Sequence, residues 1–77
     1  MGRKEKLRQL VLHGNRTDIR FDQLQSFLVD EGFTLKSVKG DHFIYAKDGI
    51  DAIINIQPKN GKAKPYQVEQ IRRIIDE

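Results

Sequence analysis

A single histidine near the middle of the chain is the side chain best suited to chemistry. His42 follows Gly40-Asp41 and opens the strand-like run from His42 to Tyr45. An unperturbed imidazole titrates near pH 6.5 and can therefore exchange protons close to neutral pH. An accessible histidine at this place, with lysines around it, could hold a phosphate and move a proton. No other part of the sequence offers comparable chemistry, so if the chain is an enzyme, we expect His42 to be its catalytic residue.

Lysines of the central segment are the candidate contacts for a phosphate group. The whole chain has 14 basic and 11 acidic residues, a formal charge of +3, but lysines outnumber acids by six to three between positions 36 and 64. This distribution is typical of a surface that binds a polyanion. The alternative is an ordinary solvated surface. The candidate contact residues are Lys36, Lys39, Gly40, Asp41, Lys47, Lys59, Lys62 and Lys64.

The spacing of apolar residues predicts three helices. A first amphipathic helix ends at Gly14, with His13 beside the end in a structural role. A second runs from Phe21 until Gly32 stops it, and Pro65 suits the first turn of a third. The third helix has an apolar face of Val68, Ile71, Ile74 and Ile75, and we expect Glu69, Arg72 and Arg73 to face solvent.

Between the second and third helices the hydrophobic period changes to two, which predicts three strands at residues 33–38, 42–46 and 50–57. A tight turn at 39–41 and an Asp-Gly hairpin at 48–49 connect them, and residues 59–64 are predicted to be a polar loop. The predicted fold is α+β, a three-stranded antiparallel meander with helices packed on one face. We predict one domain over residues 1–77, with 1–14 as a helical extension and 18–77 as the core.

The composition argues against several classes of protein. The chain has no cysteine, which excludes disulfides and thiolate metal sites, and no second histidine lies near His42 in sequence. We therefore predict neither a metal nor a cofactor. No apolar run is long enough to span a membrane, and the N-terminus lacks the apolar stretch of a signal peptide, so we expect a cytoplasmic location.

Strand alternation leaves the direction of His42 open, because His42 and Ile44 share one face while Phe43 and Tyr45 share the other. Either the aromatic pair fills the core, or Ile44 does and His42 reaches solvent from the strand end. We expect the second arrangement. Tyr66 could stack on a nucleobase, but a tyrosine at a helix start more often packs on its own sheet.

Two motifs resemble the HicA family of toxin ribonucleases. The first is Gly-x-His at Gly40–His42, opening the second strand. The second is the run Ile54–Pro58, followed by Gly61–Val68 at the last helix. The resemblance covers about residues 21–75 and implies a double-stranded-RNA-binding-domain-like order, α-β-β-β-α. The family usually has serine where Asp41 stands, and often a second histidine where Phe43 stands. Asp41 would then either orient His42 or weaken phosphate binding.

The resemblance implies a function as well as a fold. It implies a metal-independent endoribonuclease, an mRNA interferase that inhibits translation, with His42 as acid or base and the lysines contacting RNA. A HicB-type antitoxin protein would hold it inactive. One alternative is a non-catalytic RNA-binding module on the same fold. The other is a protein-interaction domain that docks through the apolar face of the first helix, and this version predicts no salt-sensitive RNA binding.

Overall fold

A computed structural model describes the backbone of residues 2–76 and the side chains of residues 2–75. In chain order the elements are α1 (Arg3–His13), α2 (Phe21–Asp30), β1 (Thr34–Lys39), β2 (His42–Lys47), β3 (Ile50–Ile56), β4 (Pro58–Lys59), β5 (Lys62–Ala63) and α3 (Pro65–Asp76). Strands β1, β2 and β3 form an antiparallel sheet in that order. The predicted α+β class, three-stranded meander and three helices are confirmed.

The predicted loop at 59–64 is wrong, because this segment forms the small antiparallel hairpin β4–β5. Asn60 and Gly61 both have positive φ, 55° and 78°, as a two-residue type I′ turn requires. The hairpin is attached to the residues that precede and begin α2. The Ala63 N–H donates to the Ile19 carbonyl at 2.9 Å, and the Phe21 N–H donates to the Gly61 carbonyl at 3.0 Å.

A single apolar cluster joins one face of the sheet to all three helices. Tyr45 from β2 contributes to it, and Gln25 of α2 donates a 3.0 Å hydrogen bond to the Tyr45 hydroxyl, which holds α2 over that face. Val11 of α1 is fully buried, so α1 belongs to the same core. The buried apolar residues are Val11, Ile19, Phe21, Leu24, Phe27, Leu28, Phe33, Tyr45, Ile54, Ile56, Ala63, Val68 and Ile71.

Arg72 connects α3 to the end of α1. Its Nε donates to the Val11 carbonyl at 2.8 Å and its Nη2 donates to the Gly14 carbonyl at 2.6 Å. The side chain is only 20% exposed, so the expectation that Arg72 faces solvent is wrong. Gly14 caps α1 as predicted. A Cβ added there would lie 2.5 Å from the Leu10 carbonyl oxygen, so the tight approach at the helix end requires glycine.

Candidate functional site

Strand β2 places His42 on the open face of the sheet. Tyr45 is buried, and Phe43 packs edge-on against Phe21 with ring centroids 5.1 Å apart, so the aromatic pair faces the core. The His42 side chain is 49% exposed, and the expectation that Ile44 lies in the core is wrong. The physical reason is size, since two aromatic rings bury more apolar area against the helices than one isoleucine.

A two-residue turn positions His42 beside a lysine. Lys39 of β1 pairs directly with His42 of β2, and the turn between them is Gly40-Asp41. Gly40 has a φ of 62° and Asp41 does not have positive φ, the pattern of a type II′ hairpin turn. Directly opposed residues of an antiparallel pair have Cβ atoms about 4.5–5.5 Å apart on one face. The Lys39 and His42 side chains therefore start next to each other on the sheet.

Asn55 of β3 holds the His42 ring. The His42 Nδ1 lies 3.3 Å from Asn55 Oδ1. An amide oxygen only accepts hydrogen bonds, so His42 Nδ1 is the donor, and a neutral ring in this contact carries its proton on Nδ1. The Nε2 lone pair is then free. The nearest carboxylate oxygen, Asp41 Oδ1, lies 3.9 Å from Nε2, too far for a hydrogen bond. Asn55, rather than Asp41, therefore accepts the hydrogen bond that orients His42.

A chain of side chains links Asp41 to Lys64. Gln57 Nε2 donates to Asp41 Oδ2 at 3.0 Å, and Lys64 Nζ donates to Gln57 Oε1 at 2.8 Å. The Gln57 backbone N–H donates to Oε1 of the buried Gln67 at 3.0 Å. The hydrogen bond from Gln57, with smaller contributions from a backbone hydrogen bond and from the charges of His42 and Lys64, lowers the pKa of Asp41. Asp41 is therefore ionised at neutral pH.

The structure gathers some of the predicted contact residues around His42. Lys39, Gly40 and Asp41 adjoin it through the β1–β2 turn, and Lys64 reaches Asp41 through Gln57. Lys64 comes close because the chain folds back after β3 as the β4–β5 hairpin. This fold-back brings Lys64 within hydrogen-bond distance of Gln57, which contacts Asp41 beside His42.

The remaining predicted lysines lie elsewhere. Lys59 and Lys62 face each other across the β4–β5 hairpin, and Lys36 is exposed at an irregularity in β1 where the register shifts. Lys47 ends β2, with its Nζ 5.7 Å from the centroid of the Phe33 ring. Five residues of strand, about 17 Å, separate Lys47 from His42, so Lys47 is not part of this site.

Three amide side chains of the site were not predicted. Asn55 of β3 and Gln57, the residue after β3, alternate with the buried Ile54 and Ile56. This alternation, combined with the strand register, could have placed both on the face of His42. Gln67 supports Gln57 from α3. No local sequence signal marks this contact, because it depends on how α3 packs against the sheet.

The chain matches no protein-family model, no curated protein and no solved structure. The resemblance to the HicA family therefore stays a prediction from the sequence motifs. Among the described side chains, those of residues 2–75, no three histidine, cysteine, aspartate or glutamate side chains cluster as metal ligands would. The described helices are too short or too polar to cross a bilayer.

Proposed function

We propose that the chain is a metal-independent endoribonuclease of the HicA type, with His42 as the residue that transfers the proton. One observation carries the proposal. The imidazole lies on an open sheet face with Nδ1 held by Asn55, Nε2 free and Lys39 directly opposite in the register. This combination supplies an oriented base and a cation next to it, which cleavage of a phosphodiester needs.

The reaction would use the 2′-hydroxyl of RNA as nucleophile. Nε2 of His42 takes the 2′-hydroxyl proton while the 2′-oxygen forms a bond to phosphorus. The bond from phosphorus to the 5′-oxygen then breaks, and this oxygen takes a proton from the imidazolium or from water. The products are a 2′,3′-cyclic phosphate and a free 5′-hydroxyl. Asn55 accepts from Nδ1–H throughout and so keeps the ring in place, and Lys39 stabilises the charge that develops on the phosphorane.

Asp41 has two opposing effects in this proposal. Its charge lies 3.9 Å from Nε2 and favours the imidazolium that forms when His42 takes a proton. The same charge repels the incoming phosphate. Lys64 offsets part of this repulsion through Gln57. A single histidine with a carboxylate at its side implies slow cleavage.

The proposal extends to classification and partner. The order α2, β1, β2, β3, α3 supports a double-stranded-RNA-binding-domain-like classification, with α1 as an additional helix. By the family resemblance, mRNA would be the substrate, a HicB-type antitoxin protein the inhibitor, and the cytoplasm the place of action. Co-expression with such an antitoxin should give a stable complex that no longer cleaves RNA.

Cleavage of end-labelled single-stranded RNA in EDTA tests the proposal. The parent protein and His42→Ala are compared with His13→Ala, which removes the other histidine, at the exposed end of α1. We expect the parent and His13→Ala to produce 2′,3′-cyclic phosphate ends and His42→Ala to produce none. Equal cleavage by His42→Ala would show that His42 does not perform the chemistry.

The ionised Asp41 favours a second candidate, a non-catalytic RNA-binding module. The negative charge of Asp41 repels a phosphate at the position where cleavage would occur, so RNA bound elsewhere on the surface would not be cut. If the parent binds RNA with strong salt dependence but does not cut it, this function replaces the first. The variant Asp41→Ser introduces the residue usual in the family. If the protein only binds RNA, this variant should also fail to cut; if the protein is a slow ribonuclease, the variant should cut faster than the parent. The protein-interaction alternative has less apolar surface on α1, because Val11 is buried and Leu7, Leu10 and Leu12 pack partly buried against the core.

A further inference from the structure

We propose that the groove between β4 and the start of α3 binds one unpaired nucleotide of the RNA, with the base stacked on Tyr66. The inference rests on the proposed ribonuclease function and assigns part of its substrate contact. The groove has a volume of about 520 Å³ and is lined by Gln57, Pro58, Lys59, Lys64, Pro65 and Tyr66.

Tyr66 is available for stacking. The residue is 64% exposed, so the expectation that it packs on the sheet is wrong. Tyr66 is the second residue of α3, and both prolines of the chain, Pro58 and Pro65, line the groove with it. Proline has few conformations to lose, so the walls lose little entropy when a ligand binds. An exposed aromatic ring between rigid apolar walls is the kind of surface on which bases stack.

The charge of the region suits the phosphates on either side of a stacked base. A second groove of about 310 Å³ contains Lys59, Lys62 and Lys64, and the residues that line the two grooves include no carboxylate. Among the described residues, no carboxylate forms an ion pair with these lysines. Lys64 uses one of its three N–H donors on Gln57, which leaves two for a phosphate.

Gln57 connects the groove to the residue next to the histidine. Gln57 and Lys64 line the groove, and the same Gln57 donates to Asp41, the neighbour of His42. A strand with its scissile phosphate at His42 therefore has a path along Gln57 to Tyr66. Stacking needs a base that is free of pairing, so the ligand we infer is single-stranded RNA rather than a duplex.

Binding of a fluorescently labelled 2′-O-methyl RNA hexamer of mixed sequence, measured by anisotropy, tests the groove. The methyl group blocks the 2′-nucleophile, so the ligand stays intact with His42 present. We expect Tyr66→Ala to raise Kd at least about fivefold, from the usual value of one base stacked on an aromatic ring. Tyr66→Phe should bind like the parent, because it keeps the ring, and so should Val29→Ala, which alters an exposed apolar residue of α2.

The results separate this inference from the ribonuclease proposal. If Tyr66→Ala is folded by circular dichroism and its Kd for the hexamer is within twofold of the parent's, the groove is not the RNA site. This holds even if cleavage still depends on His42. Hexamer binding that depends on Tyr66, without any cleavage of unmodified RNA, would support the groove and reject the ribonuclease. If the parent does not bind the hexamer at all, the groove is overturned as an RNA site, and an acidic protein partner becomes the better occupant.

Discussion

Replacing Arg72 by leucine should remove much of the stability of the fold. Two hydrogen bonds from a charged donor are lost, to the carbonyls of Val11 and Gly14, and each is worth about 1.5–3 kcal/mol. The Arg72 side chain is 20% exposed, so water can reach part of the region. Hydration of the Val11 and Gly14 carbonyls in the variant therefore recovers some of the lost free energy. The ion pair between Arg72 and Glu69, at 3.5 Å, adds less than about 1 kcal/mol. We expect a net loss of about 2–3 kcal/mol.

That loss is large for a chain of this size. The expected free energy of unfolding for 77 residues is roughly 4–12 kcal/mol, and about 4–8 °C of Tm is lost per kcal/mol in small domains. Arg72→Leu should therefore lower Tm by roughly 10–20 °C. Urea unfolding followed by circular dichroism measures the free energy directly, and thermal unfolding gives Tm.

The neighbouring arginine provides a matched control. Arg73 is exposed on the same helix, so Arg73→Leu makes the same chemical change and should stay within about 0.5 kcal/mol of the parent. Arg72→Lys should lie between the parent and Arg72→Leu, because one ammonium group cannot reproduce both guanidinium contacts. If Arg72→Leu unfolds like Arg73→Leu, the contact between α1 and α3 does not stabilise the protein as argued.

Three further outcomes follow from the geometry. Gly14→Ala should destabilise the protein by about 1–3 kcal/mol in urea unfolding, because the new methyl group meets the Leu10 carbonyl; unchanged stability would contradict the close approach. The Asp41 carboxyl should titrate by NMR below its ordinary pKa, and Gln57→Ala should raise that pKa. Because the pKa is lower in the folded state, the stabilisation is complete above about pH 4 and is lost as the pH falls through the folded pKa; a Gln57→Ala titration identical to the parent would contradict this. Finally, Lys59→Ala should make the slope of log K against log salt for single-stranded RNA shallower by about 0.7, and an unchanged slope would place Lys59 outside the contact.

Apolar periodicity was sufficient to predict the helices and the meander, because each of these elements is long enough to repeat its pattern. The hairpin β4–β5 has only two residues per strand, too few for alternation to show. Its one clear signal is the Asn60-Gly61 pair, which permits positive φ twice. Lysines flank this pair where hairpins usually have apolar residues, so the segment resembles a loop.

The site could be predicted only in part. Gly40–His42 marks the turn and the histidine, but the face on which His42 lies depends on which side chains the helices cover. The alternation of residues along β2 is compatible with His42 on either face of the sheet. The contact of Gln67 joins α3 to the residue after β3, and that of Arg72 joins α3 to α1, 61 residues away. Solvent-facing spacing on a helix does not reveal such partners.

The hydrogen bonds from Arg72 to α1 also bear on how the protein forms during synthesis. They span 61 and 58 residues, whereas each strand of the meander pairs with the next one along the chain. α1 leaves the ribosome before α3, and the partner for its carbonyls is made more than fifty residues later. We expect α2 and the meander to organise first and α1 to dock last, so that Arg72→Leu mainly speeds unfolding in stopped-flow experiments. Gln67 lies on the same late helix, so the support for Gln57 is absent until α3 emerges, and a nascent chain does not yet hold the assembled site.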